Sequence, residues 1–211
     1  GEGPLGHIRR VYVSEYGGND RITVFEPTEN TLEPVFTIGS FGDPQDEVEG
    51  AGAAGVRFQR PQSLAFDPQG HDGAGALIVA DSCNHRVGVL TLEGEPLRWF
   101  GAPELAGEAS TYPYSIQLLS DRTMLVCEFG AACVRQLSID TGDELQRWGV
   151  PGREPGQFNQ PWAVAVLDGT AHVLDSRNHR VQSFPAPAPA IPSPFAAAAQ
   201  EQRTVAQGGG E

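Results

Sequence analysis

Short apolar runs alternate with polar, glycine-containing turns along most of the chain, a pattern typical of β-strands joined in hairpins. Four segments can be laid over one another: VYVSEYGGNDRITVF from Val11, LIVADSCNHRVGVL from Leu77, MLVCEFGAACVRQL from Met124 and AHVLDSRNHRVQSF from Ala171. Each has an apolar run, then an acid, then a small polar or glycine-rich turn, then a second alternating run. The sequence therefore predicts four β-hairpins.

The turns of three hairpins close with Asn, one further residue and Arg, whereas the third has Ala131 and Cys133 at these positions. Asn tolerates a left-handed backbone, and an Arg pointing back over the turn can reach the acid that ends the preceding strand. We interpret these residues as structural locks of the turns, not as a catalytic set. The predicted locks are Glu15, Asn19 and Arg21, then Asp81, Asn84 and Arg86, then Asp175, Asn178 and Arg180.

Two further elements recur around the hairpins. A mostly apolar strand led by Pro61, Pro113 or Pro161 precedes each of the last three hairpins, and proline is tolerated at the first residue of a strand. A strand ending in an aromatic residue and glycine follows each of the first three, and we expect Trp99 and Trp148 to hold equivalent packing positions in it. A unit of four strands that repeats about every 50 residues is typical of the blades of a β-propeller.

The runs VADSCNHRV and VLDSRNHRV, with the leading F-x-x-P strand and EPGQFNQP before the second, resemble NHL repeats. The resemblance covers about residues 11–184 and implies an all-β, TolB-like β-propeller of four-stranded antiparallel blades, usually six in a complete protein. About four blades are visible here. The first lacks the proline-led inner strand and the last lacks an outer strand after Phe184. Because open edges are avoided, we expect closure by missing blades or by another chain.

Composition agrees with an all-β chain, since 26 Gly and 17 Pro favour short strands and turns. The net charge of −13, from 27 acidic and 14 basic side chains, argues against nucleic acid as a partner. No apolar run is long enough for a membrane span. The first residues contain no secretory apolar stretch, but the chain starts with Gly, so a removed signal or a truncated sequence stays open, and so does the compartment.

The predicted propeller spans residues 1–184, and residues 185–211 form a Pro/Ala-rich spacer with a flexible or weakly helical tail. Between the first two blades, residues 43–56 form an acidic insertion. It lacks the ligand spacing of a known calcium loop, which favours a solvated loop. The odd cysteine count favours three free thiols, with a Cys127–Cys133 disulfide as the open alternative.

The function of a propeller depends on the residues at its central channel, which the inner strands of the blades line. The residues after the three prolines, Gln62, Tyr114 and Trp162, should gather near one mouth of the propeller, as a contact patch or as packing between blades. We expect a non-catalytic scaffold that binds a protein or peptide, and the acidic charge favours a basic one.

The alternative is a metal-dependent propeller enzyme resembling peptidyl-hydroxyglycine lyase or gluconolactonase, with ligands partly outside this chain. The first would hold its metal with His residues on the inner strands, and the second would hold Ca²⁺ with acidic or Asn ligands. Neither set occurs at the recurring positions, where Gln, Tyr and Trp stand. We therefore predict no catalytic residue, metal ligand or cofactor, and interpret Asp67 and Asp168 as turn formers.

Overall fold

A computed structural model describes residues 8–101, 112–120 and 122–187. The elements in these residues are strands and short 3-10 helices, with no α-helix. The strands are β1 Val11–Glu15, β2 Arg21–Pro27, β3 Leu32–Ile38, β4 Ser40–Phe41, β5 Arg57–Phe58, β6 Pro61–Asp67, β7 Ala76–Asp81, β8 Arg86–Leu90, β9 Pro96–Phe100, β10 Pro113–Leu118, β11 Thr123–Glu128, β12 Cys133–Ser138, β13 Glu144–Trp148, β14 Pro161–Leu167, β15 Thr170–Asp175 and β16 Arg180–Pro185. The 3-10 helices are Pro44–Asp46, Gly52–Gly55, His71–Gly73, Ser82–Asn84 and Ser176–Asn178.

The strands form four antiparallel sheets, here called blades 1 to 4. Blade 1 is β1-β2-β3, blade 2 is β6-β7-β8-β9, blade 3 is β10-β11-β12-β13 and blade 4 is β14-β15-β16. The short strands β4 and β5 pair in parallel in the link between blades 1 and 2. The all-β, four-stranded antiparallel architecture is confirmed. Within the described residues blade 1 lacks an inner strand, blade 4 lacks an outer one, and the blades do not close into a ring.

The blades stack face to face, and apolar side chains fill each boundary. Ile22 and Val24 of blade 1 pack with Leu77 and Val79 of blade 2 around the fully buried Phe58 of the link. The same plan recurs between blades 2 and 3 and between blades 3 and 4, where Phe158 takes the place of Phe58. Burying one such side chain contributes about 1.5–3 kcal/mol, so these boundaries hold neighbouring blades together.

The two tryptophans do not hold equivalent positions, and that expectation is wrong. Trp99 lies opposite Gly88 on β8 and joins the core between blades 1 and 2. Trp148 lies opposite Val134 on β12, joins the core between blades 3 and 4 and stacks on Phe184. The strand register makes Phe100, not Trp99, the counterpart of Trp148, because each directly precedes the glycine that ends its strand.

The acidic insertion, residues 43–56, is more ordered than a solvated loop. Two of its segments form 3-10 helices, and Glu47 accepts a hydrogen bond from the Arg86 guanidinium at 2.7 Å. At the other end of the chain, β16 continues to Pro185, and Ala186 donates its N–H to Gly169 at 2.8 Å. The predicted tail lies outside the described residues from 188 onward. No helix in the described part of the chain is long and apolar enough to cross a bilayer.

Candidate functional site

The Asp81 carboxylate, at the end of β7, is fully buried and binds three donors. Its Oδ1 accepts the main-chain N–H of Gln59 at 2.7 Å. Its Oδ2 accepts hydrogen bonds from Asn84 and from the Arg86 Nε, at 2.9 Å each. The acid therefore ties the hairpin turn to the segment that enters the same blade, and all three donors are used within the protein.

Blade 4 repeats this arrangement around Asp175, at the end of β15. Asp175 accepts the N–H of Asn159 at 2.7 Å and hydrogen bonds from Asn178 and Arg180 at 2.8 Å each. Burial disfavours the charged carboxylate, but the bonds from Asn159, Asn178 and Arg180 outweigh it and lower the pKa of Asp175 below its usual value. The charged form is therefore the one that the turn holds.

Blade 1 carries a more exposed version of the same cluster. Glu15 accepts hydrogen bonds from Thr23, from Arg21 at 3.0 Å and from Asn19 at 2.5 Å. The bonds from Thr23 and Arg21 lower the pKa of Glu15. The acid of the first hairpin is thus engaged in its own turn and in the adjoining strand.

Blade 3 departs from the repeat, because Cys133 stands where the other hairpins have the turn arginine. The repeat pattern did not predict which cation takes its place. Arg135, two residues after Cys133, pairs with the buried Glu128. The second oxygen of Glu128 has no hydrogen-bond partner among the described residues. Burial raises the pKa of this acid, and Arg135 partly opposes the shift. An arginine on the following strand was the only sequence signal for this pair.

At the start of the inner strands, Tyr114 and Trp162 are in contact with each other and with Phe129. The Tyr114 and Phe129 rings stack at 4.4 Å, and Trp162 meets both edge-on, at 5.2 and 5.9 Å between ring centroids. Trp162 is 47% exposed. The three side chains therefore form an aromatic cluster that is packed on one side and open to solvent on the other.

Gln62 holds the same repeat position on β6, where it is half-buried and adds no ring to the cluster. Phe129 was missed by the sequence analysis. It directly follows Glu128, at a turn position where blades 2 and 4 carry Ser82 and Ser176. An aromatic residue in place of a small hydroxyl side chain was the signal that could have identified it.

More aromatic and cationic side chains continue this rim toward blades 1 and 2. The Arg60 guanidinium lies 5.5 Å from the centre of the Tyr16 ring, and the His85 and Tyr112 rings are 4.5 Å apart. Burial raises the pKa of Tyr114, and the nearby Arg60 charge opposes that shift. Arg60 therefore lies over the Tyr16 ring and is near enough to Tyr114 for its charge to act on that side chain.

A cleft of about 570 Å³ opens beside the aromatic cluster, between blades 3 and 4. Phe129 and Trp162 form its apolar wall, and Arg153, Arg177 and His179 are exposed along it. No carboxylate is among the residues that line this cleft in the described part of the chain. It can therefore bind a group that is both apolar and negatively charged.

The cysteines offer no activated nucleophile. All three are free, and Cys127 and Cys133 are buried, so the alternative of a disulfide between them is not formed. Their strands place Cys133 opposite Glu128 instead of Cys127. Burial raises the pKa of Cys133 to about 11 and also raises the pKa of Cys127, which keeps both thiols protonated at neutral pH.

Comparison with known proteins agrees with this architecture. Residues 158–184 match a family model described as NHL repeat. The virginiamycin B lyase from Staphylococcus aureus is similar in structure, with a TM-score of 0.51 and 16% identity over 89% of this chain and 54% of that one. A proposed 6-phosphogluconolactonase from Bacteroides uniformis has a TM-score of 0.53 and 12% identity over 89% and 55%. This chain spans about half of each, and no curated protein sequence matches it.

Proposed function

We propose that this chain, whose residues 158–184 match an NHL repeat and whose blades resemble those of known propellers, is a binding module that captures a protein or peptide at the mouth of its channel. Tyr114, Phe129 and Trp162 provide the contact surface. The acids and arginines of the hairpin turns stabilise the blades that position these three side chains. Gln62 completes the mouth on the side of blade 2.

The main support for this proposal is that the Trp162 side chain is both fixed by neighbouring rings and exposed. Its ring is held edge-on by Tyr114 and Phe129, yet nearly half of its surface remains exposed. An aromatic side chain that is fixed before a partner arrives loses little conformational freedom on binding, and tryptophan and tyrosine dominate binding hot spots.

The outer face of blade 4 supports the proposal that further blades, or another chain, complete the ring. Leu174 and Val181 are 43% and 60% exposed. They hold the repeat positions of Cys127 and Val134 in blade 3, which are fully buried against blade 4. Side chains that fill a blade boundary elsewhere therefore stand uncovered here, and six blades remain the count that NHL resemblance favours. The propeller unit would be residues 1–184, followed by the spacer and tail.

A metal-dependent propeller enzyme is the second candidate. The similarity in fold to a lyase and to a proposed lactonase favours it, and this chain spans about half the length of each. Such an enzyme needs about three converging ligands. No group of three or more His, Cys, Asp or Glu side chains suited to a metal occurs among the described residues, so its ligands would lie partly elsewhere.

Selection of a displayed random peptide library against the immobilised chain tests the binding module. Selected peptides are then titrated calorimetrically against the chain and its Trp162→Ala variant. We expect the variant to bind at least about tenfold more weakly, the loss typical of a hot-spot aromatic. Leu145→Ala is the matched control, because Leu145 is 56% exposed on the outermost strand of blade 3.

Failure to select any peptide, or unchanged affinity of the Trp162→Ala variant, would contradict the proposed module. Elemental analysis of zinc and calcium in the folded, purified chain separates the second candidate. About one metal ion per chain would favour the enzyme and make a lyase or lactonase assay the next step.

A further inference from the structure

We infer that the mouth cleft between blades 3 and 4 recognises an acidic peptide segment that carries an aromatic side chain. This inference rests on the proposed binding module and specifies its ligand. Net charge alone favours a basic partner, but the charge of the cleft has the opposite sign to the charge of the chain.

The cations of the cleft are available to a ligand. Arg153 and Arg177 are exposed, and neither side chain forms an ion pair or hydrogen bond with another described residue. By contrast, Arg86, Arg135 and Arg180 are engaged by acids of their own blades. Two guanidinium groups that line one cleft and have no acidic partner among the described residues, in a chain of net charge −13, are the feature that an anion would complete.

Four acids near the mouth do not neutralise these cations, because the protein uses them internally. Glu154, next to Arg153, is exposed, but it does not line the cleft and forms no ion pair among the described residues. Asp81 and Asp175 bind the hairpin turns. Asp20 is only 3% exposed and accepts the N–H groups of Arg60 at 2.7 Å and Gly18 at 3.1 Å. Glu128 is fully buried. These four carboxylates therefore hold the scaffold, while Arg153 and Arg177 are exposed to solvent.

Apolar and amide groups beside the arginines define the rest of the ligand. Phe129 and Trp162 present aromatic surface to the cleft, where a ligand ring can stack or meet them edge-on. Asn159 and Gln160 also line it, and their side-chain amides can donate to and accept from a peptide main chain. A peptide with carboxylates flanking an aromatic side chain matches all three kinds of group.

RNA fits the same mouth less well. A nucleic acid needs a continuous track of cations along its backbone. Here the link between blades 1 and 2 carries the acids Asp43, Asp46, Glu47 and Glu49 beside its arginines, so no continuous cationic track runs through it. A short acidic peptide can occupy the cationic cleft without crossing that acidic segment.

Fluorescence anisotropy with labelled, end-blocked peptides tests the inference. The probes are Glu-Glu-Phe-Glu-Glu, Lys-Lys-Phe-Lys-Lys, Glu-Glu-Ala-Glu-Glu and a uridine oligonucleotide. We expect the first peptide to bind at least about tenfold more tightly than the other three, and its binding to weaken as salt rises from about 0.1 M to about 1 M. Arg177→Glu and Arg153→Glu should each weaken it by about tenfold or more. Arg9→Glu, at the opposite end of blade 1, makes the same charge change as a control and should leave binding unchanged.

Equal or tighter binding of the lysine peptide or the oligonucleotide would overturn the inference, and so would an Arg177→Glu variant that binds the acidic peptide normally. If the lysine peptide binds and Trp162→Ala abolishes that binding, the binding module stands and only the acidic ligand is wrong. If no probe binds and peptides selected from the library also ignore Trp162→Ala, both proposals fail.

Discussion

The guanidinium of Arg86 lies over the ring of Trp99, with its central carbon 3.6 Å from the ring centroid. The same side chain donates to Asp81 at 2.9 Å and to the Arg57 carbonyl at 2.7 Å. A single arginine therefore joins a hairpin acid, the link from the preceding blade and an aromatic side chain of the blade boundary. Planarity and several fixed donors are required for all of these contacts.

Arg86→Lys should lower the free energy of unfolding by about 2–3 kcal/mol, because one ammonium group cannot replace the guanidinium contacts in a buried site. Urea denaturation followed by circular dichroism measures the change. Arg177→Lys is the control and should stay within about 0.5 kcal/mol of the unmodified chain. A similar result for Arg86→Lys would show that its buried contacts contribute little.

Glu128→Gln should alter how stability depends on pH. Burial raises the pKa of Glu128 in the folded chain. Its contribution to stability is therefore present below the pKa of the unfolded chain and is lost as pH rises through the folded value. Relative to the unmodified chain, the variant should therefore gain stability as pH rises above about 4, the usual pKa of an unfolded Glu. Arg135 keeps Glu144 as a partner at 3.5 Å in the variant.

Denaturation at several pH values gives this difference directly. Glu144→Gln is the contrasting variant, because the hydrogen bond from Arg147 lowers the pKa of Glu144. It should lose stability relative to the unmodified chain as pH rises. Parallel curves for Glu128→Gln and the unmodified chain would contradict the assigned direction.

Gly88→Ala should destabilise the boundary between blades 1 and 2 by about 1–3 kcal/mol, the usual cost of overpacking a core. An added Cβ would come within 2.3 Å of the Trp99 ring. Thermal unfolding monitors the loss, and combining Gly88→Ala with Trp99→Leu should recover part of it. A cost that Trp99→Leu does not reduce would point away from a steric cause.

Val134→Ser and Val181→Ser should differ strongly, although the two residues hold the same repeat position. Val134 is fully buried, so a hydroxyl there should cost about 2–3 kcal/mol, whereas Val181 is 60% exposed and should cost at most about 0.5 kcal/mol. Urea denaturation of both variants measures the difference. Equal costs would mean that the outer face of blade 4 is already covered in solution.

The architecture was predictable because a repeat presents the same pattern several times. The Asp-Ser-x-Asn-His-Arg run marked two turns, and the prolines marked the starts of β6, β10 and β14. The packing of Trp99 was not predictable from spacing, because a shift of one residue moves a strand side chain to the opposite face.

The candidate site was predictable only in part. Tyr114 and Trp162 stand at a repeat position that could be read from the sequence, but Phe129 and Arg135 are departures from the repeat. Net charge is a sum over the whole chain, so it could not reveal that Arg153 and Arg177 line one cleft with no acidic partner among the described residues.

The turn asparagines also reach beyond their own hairpins. Asn84 donates to the Gly42 carbonyl at 3.2 Å, and Asn178 donates to the Gly152 carbonyl at 2.9 Å, each in the link that enters its blade. A blade thus carries the groups that fasten the connection leading into it. If a gene segment that encodes a blade and its link is duplicated, the copy therefore encodes its own hydrogen bond between blade and link. The number of blades can then change in evolution without substitutions in the neighbouring blades.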